Sequence, residues 1–108
     1  MQQRSHESQE PMAALQQRAR DALAIADDQS LPTWQRTLNT LRAFSGMQLT
    51  GLPPIIYQAI EKHFVAVNRI LHEYHLETDE DYGRMTEADL RKILKIAKAL
   101  ASKILPAN

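Results

Sequence analysis

The sequence predicts an all-α fold, an antiparallel bundle-like array of about four helices, and three observations predict it. Apolar residues recur three and four positions apart along most of the chain, which is the period of an amphipathic helix. No run of alternating β-branched residues bounded by turns indicates a strand. Prolines and glycines separate the periodic stretches, and 108 residues suffice for one core. We expect a single helical domain over residues 10–106 after a flexible N-terminal tail over residues 1–9.

The first predicted helix begins near Pro11, because a proline loses nothing by lacking an N–H in the first turn and the residues before it are polar and aperiodic. Its apolar face is narrow and rich in alanine, which allows a neighbouring helix to approach closely. The helical pattern ends near Asp27 and Asp28.

The second predicted helix follows Ser30, a residue type that caps helix N-termini, with Pro32 in the first turn. It ends before Gly46, as helices often do at a glycine. Its apolar stripe consists of Trp34, Leu38, Leu41 and Phe44.

A linker over residues 47–54 carries three large apolar side chains, Met47, Leu49 and Leu52, where polar turn residues are usual. One interpretation is that they fold down and close the end of the bundle, since large apolar groups tend to be buried. The other is that they form an exposed patch that meets a partner, for which the adaptable Met47 is well suited.

The third predicted helix spans residues 54–76 after a double proline. Its main apolar seam passes through Ile60, then Phe64 or His63, then Val67 and Tyr74. Further apolar residues widen this seam into a broad arc, which predicts contacts with more than one neighbour and a central position in the bundle.

The last predicted helix runs from about Glu87 to Leu105 and follows an acidic turn over residues 77–83. Thr86 and Asp89 resemble a capping box with Asp in place of Glu, and Pro106 prevents continuation of the helix. The acidic turn lacks the ligands of a calcium loop, because Thr78 stands where the first Asp belongs and Tyr82 cannot supply a carboxylate.

The cations Arg91, Lys95 and Lys98 lie along one side of this last helix. Cations near a helix C-terminus are favourable in themselves, and Glu87 can pair with Arg91 one turn later. The same face can bind an acidic protein or, as the alternative, nucleic acid. The formal net charge of zero and the lack of aromatic residues among the lysines weaken the nucleic-acid alternative.

Other chemistry finds little support in the sequence. His72 and His75 share a helix face at a spacing that can chelate a metal, but only two good ligands are visible where a zinc site needs three or four. The chain has no cysteine, no glycine-rich phosphate loop and no nucleophile motif. We therefore expect no enzyme activity, cofactor or metal.

The sequence thus predicts a small non-enzymatic helical interaction module, such as an adaptor or a regulatory or inhibitory subunit. Its expected partner is another protein, homo-oligomers remain open, and the alternative is a nucleic-acid-binding helical protein. No secretory signal or membrane-spanning run is visible, so we expect a cytoplasmic protein without membrane contact. The candidate partner-binding residues are Arg91, Lys95, Lys98, Met47, Leu49 and Leu52.

Overall fold

Four α-helices and one short 3₁₀-helix make up the computed structural model, which describes the backbone of residues 2–106 and the side chains of residues 11–106. The helices are α1 (Gln2–Ala26), α2 (Thr33–Ala43), α3 (Pro54–Leu71), the 3₁₀-helix (Asp79–Arg84) and α4 (Glu87–Ile104). The part of the chain that the structure describes contains no strand. The predicted fold class, an all-α bundle-like array, is confirmed.

The central helix is α4, and the prediction that α3 is central is wrong. Within residues 2–106, the backbone of α4 packs against α1, α2 and α3, whereas that of α3 packs against α4 alone. Two fully enclosed alanines, Ala97 and Ala101, explain the difference because their small side chains let neighbouring helices come close to α4. Part of the broad apolar arc of α3 is consequently left without a neighbour.

Two apolar clusters lie along α4. The first contains residues of α1, of the first half of α3 and of the second half of α4, with Phe44 from the segment just after α2. The second joins the later part of α3 to the first half of α4 and to the segment around the 3₁₀-helix. The buried members of the second cluster are Val67, Met85, Leu90 and Ile93.

Helix α1 begins at Gln2, nine residues before the predicted start at Pro11, which lies inside the helix. The difference arises because residues 2–10 include Gln, Arg and Glu, which favour helices even without an apolar stripe. Gly51 of the linker, with φ of +86°, approaches the ring of Pro11. The flexibility predicted for residues 1–9 stays a prediction, because Met1 and the side chains of this segment lie outside the described part of the structure.

Two arginines connect α1 and α2, because an arginine on each helix caps the C-terminal end of the other helix. Arg18 of α1 donates to the carbonyl oxygens of Ala43, at 3.1 Å, and Ser45, at 2.6 Å. Arg36 of α2 donates to the carbonyl oxygen of Ala26, the last residue of α1, at 3.1 Å. These bonds satisfy carbonyl groups that a helix end leaves without partners. Gly46 has the positive φ, +67°, expected after a helix that ends at a glycine.

The helix starts differ in how well the sequence predicts them. Thr86 accepts a hydrogen bond from the backbone N–H of Asp89, as predicted for α4. Ser30 does not cap α2, because its hydroxyl donates to the carboxylate of Asp28, and Pro32 occupies the N-cap position.

Helix α3 ends at Leu71, five residues earlier than predicted. Tyr74 lies outside the helix, where its hydroxyl donates to Asp89 and accepts a hydrogen bond from the backbone N–H of Thr86. This contact with the start of α4 explains why α3 ends early. If α3 continued, Tyr74 would follow the axis of α3 and its hydroxyl would not make this contact. His72 and His75 therefore do not share a helix face, and His75 instead pairs with Glu77.

Candidate functional site

The cations predicted on α4 border an open cleft of about 350 Å³ between α4, the end of α1 and the first turns of α2. Arg91, Lys95 and Lys98 all contribute to it, so the structure brings these three predicted residues together. The residues around the cleft are Ala26, Asp27, Gln29, Arg36, Arg91, Leu94, Lys95 and Lys98.

The positions of these side chains follow from the helical repeat of α4. Arg91, Lys95 and Lys98 stand at i, i+4 and i+7, on the same side as Leu94, which is buried against the rest of the protein. Arg36 joins them from α2 because its guanidinium reaches the end of α1. Arg36 and Asp27 could not be assigned to this site from the sequence, since they meet α4 only through the packing of distant helices.

The four cations of the cleft differ in how they are held. Arg91 donates to Glu87 at 3.0 Å, and Lys98 donates to Asp27 at 2.9 Å. Within residues 11–106, Lys95 has no ion-pair partner. Both ion pairs are largely exposed, so water screens them and an incoming anion can replace the carboxylate at small cost.

Arg36 serves a structural purpose at the same time. Its guanidinium bonds the carbonyl oxygen of Ala26 and the hydroxyl of Thr33, and its Nε is enclosed without a hydrogen-bond partner in the described part of the chain. Arg36 therefore contributes positive electrostatic potential to the cleft, and its guanidinium is not free to move and donate hydrogen bonds to a ligand.

Glu87 stands beside the cleft and stays ionised. The hydroxyl of Thr33 donates to its carboxylate at 2.7 Å, and together with the hydrogen bond from Arg91 this lowers the pKa of Glu87 below its ordinary value. Four cations and one carboxylate, that of Asp27, nevertheless line the cleft itself. The cleft therefore carries an excess of positive charge above a small apolar floor formed by Ala26 and Leu94.

The linker residues named with the cations lie elsewhere. Met47, Leu49 and Leu52 are half-buried and pack against the first apolar cluster, as the interpretation that they close the end of the bundle predicts. Trp34 packs in the second cluster, with its ring against Gly83. The linker and the cationic cleft thus do not form one site.

Part of the apolar surface of α3 is uncovered, which the broad apolar arc of this helix already suggested in the sequence. The large apolar side chains that are exposed in the described part of the chain all lie on this helix: Ile55, Tyr57, Phe64 and Val65. Two open grooves, of about 440 and 470 Å³, lie along this helix. Ile55 lines the first and Val65 the second, whereas Tyr57 and Phe64 line neither. The breadth of the apolar arc is visible in the sequence. Whether the arc is buried or exposed depends on how many helices pack against α3, which the sequence does not show.

His63 fills the inner seam position that the sequence left open between His63 and Phe64. Its side chain is only 3% exposed and neither ring nitrogen makes a hydrogen bond of normal geometry in the described structure. The ring contacts Phe44 and Phe64 edge to face, with centroids 5.5 and 5.1 Å away. Burial lowers the pKa of His63, and the nearby carbonyl of Ile96 acts weakly in the opposite direction.

Within residues 11–106, no three His, Asp or Glu side chains are grouped so that they could hold a metal ion. No helix in the described part of the chain has both the length and the apolar character that a membrane span requires. Comparisons with protein-family models, with curated proteins and with solved structures returned no match.

Proposed function

We propose that the protein is a non-enzymatic interaction module, an adaptor or a regulatory or inhibitory subunit, that binds an acidic segment of another protein in the cationic cleft. One observation carries the proposal: four cations from two helices converge on an open cleft that has one carboxylate of its own. A cytoplasmic location belongs to the same proposal and is favoured by the absence of cysteine.

The shape and chemistry of the cleft favour a peptide over a nucleic acid. No aromatic side chain among residues 11–106 lines it, so a base would find none of these to stack on. The formal net charge of the chain is zero, whereas domains that track a phosphate backbone are usually basic as a whole. A compact cleft with an apolar floor instead suits two or three carboxylates that flank a small apolar residue.

Most of the binding energy should come from Lys95 and Lys98. Lys95 has no ion pair within the described residues to give up, and Lys98 has only an exposed one with Asp27. Leu94 beneath them excludes water from part of the contact, which strengthens the charge interactions.

The test uses a fluorescently labelled oligo-glutamate peptide and measures its anisotropy against protein concentration at low and moderate salt. We expect binding that weakens as salt rises, and at least about a tenfold loss of affinity in the variant Lys95→Glu/Lys98→Glu. The matched control, Lys92→Glu/Lys103→Glu, makes the same charge change elsewhere on α4. It should lose no more than about twofold.

Equal losses in the two variants would show that only overall charge matters, and absence of peptide binding at low salt would overturn the proposal. Duplex and single-stranded oligonucleotides are titrated in parallel. If they bind while the peptide does not, the nucleic-acid alternative replaces the proposed function.

A further inference from the structure

We propose that a second copy of this chain docks on the outer surface of α3, with the two-fold axis passing close to Val65. This surface shares no residue with the cationic cleft, so the inference is independent of the proposed function. It concerns how the protein assembles rather than which partner it captures.

The first argument is that α3 is incompletely covered. Its backbone packs against α4 alone within the described residues, and its opposite side carries Val65, which is 58% exposed. A shallow groove of about 470 Å³ runs along this side. The groove is lined by Gln58, Glu61, Lys62, Val65, Ala66 and Arg69.

The second argument is the arrangement of charge around Val65. Glu61 lies four residues before it and Arg69 four residues after it, so the three form a single ridge along the helix. Glu61 and Arg69 are too far apart along the helix to pair with each other, and neither makes an ion pair within residues 11–106.

A second copy resolves both features at once. Rotation by 180° about an axis through Val65 places Glu61 of each copy opposite Arg69 of the other and packs Val65 against itself. Such an isologous contact uses the same patch on both molecules.

The association is expected to be weak and concentration-dependent. One helix pair of 18-residue helices falls at the lower end of interface sizes, and most of its ion pairs stay partly wet. Ile55, at the start of α3, lies at the margin of this surface rather than at its centre.

The test is sedimentation of the full chain at concentrations up to about 1 mM, where a dimer with a Kd in the micromolar range is well populated. Val65→Glu, Glu61→Arg and Arg69→Glu should each yield a monomer. The control Glu73→Arg reverses a charge at an exposed site beyond the groove and should leave the dimer intact. Circular dichroism of each variant checks that the fold is retained.

The decisive step is to mix the two single variants. At these two positions Glu61→Arg presents arginines alone and Arg69→Glu presents glutamates alone, so the like charges brought together in each self-contact should repel. The mixture restores both opposite-charge pairs and should form a heterodimer, with the double variant Glu61→Arg/Arg69→Glu regaining the homodimer. A wild-type chain that stays monomeric to about 1 mM, or a mixture that fails to associate, would overturn the proposal.

Discussion

The cationic side of α4 and the outer side of α3 both face solvent, but for different physical reasons. The cations on α4 need no partner molecule to be stable: Arg91 is paired to Glu87, Lys98 is paired to Asp27, and the others are exposed to water. The outer side of α3 keeps Ile55 and Val65 largely exposed, 76% and 58%, which an isolated protein gains nothing from. Exposed charge on a helix is therefore weaker evidence for a binding surface than exposed apolar area that no other part of the protein covers.

The difference traces to the number of neighbours rather than to composition. Helix α4 has three helices around it and buries most of its apolar face, while the backbone of α3 packs against that of α4 alone within residues 2–106. A broad apolar arc is thus largely covered on α4 and only partly covered on α3.

The largest expected effect contrasts one isoleucine from each region. Ile93→Ala on α4 removes a side chain that is fully enclosed and leaves a cavity, so the free energy of unfolding should fall by about 2–5 kcal/mol. Ile55→Ala on α3 should change it by less than about 0.5 kcal/mol, because Ile55 is mostly in water already. Urea unfolding of both variants measures the contrast, and comparable losses would break it.

The contact between α3 and α4 should weaken in mild acid because of His63. Burial lowers the pKa of its folded form below the ordinary value of 6.5, so under acid conditions the unfolded chain binds a proton that the folded chain does not. Stability from this group is intact above about pH 6.5 and falls as the pH drops toward the lowered value. The charged residues that line the small cavity beside the ring are the lysines Lys62 and Lys103, and no carboxylate among the described lining residues stabilises an imidazolium.

Urea unfolding between pH 7 and pH 5 measures this slope. His63→Leu should flatten it and should be neutral or slightly stabilising at pH 7, since the ring nitrogens have no hydrogen-bond partners in the described structure. His75→Gln, at an exposed site, is the control and should keep the slope. The carboxyl groups of Asp28, Asp81 and Glu87, whose pKa values are lowered, act in a separate window below about pH 4.5. A slope that survives His63→Leu would contradict the assignment.

The smallest effect is expected from the ion pairs of the cationic cleft. A double-mutant cycle with Asp27→Ala and Lys98→Ala should give a coupling energy below about 1 kcal/mol, since both side chains are about half exposed or more. Added salt should reduce it further. A coupling above about 2 kcal/mol would mean that these cations are held for stability rather than left available to a ligand.

Local signals made some features predictable from the sequence. Thr86 lies three residues before Asp89, whose backbone N–H it accepts, and Gly46 marks the end of α2 with its positive φ. Both depend on a few consecutive residues. The spacing of Arg91, Lys95 and Lys98 on one face of α4 is equally local, which is why the cationic half of the cleft could be predicted.

Other features depend on residues far apart and could not be predicted in this way. Tyr74 leaves α3 because Asp89 and Thr86 bond its hydroxyl, and Arg36 enters the cleft because it caps α1 at Ala26. The central position of α4 likewise follows from which helices pack on it, and the hydrophobic pattern of a single helix does not identify its neighbours.

Native-state hydrogen exchange tests the contrast between α4 and α3 most directly, because it reports the free energy of opening at each amide. At dilutions where the chain is monomeric, amides near Ile93 and Ala97 should exchange only through global unfolding. Amides near Ile60 and Val67 should exchange through a lower-energy opening in which α3 separates from α4. Protection of α3 equal to or above that of α4 would contradict the account.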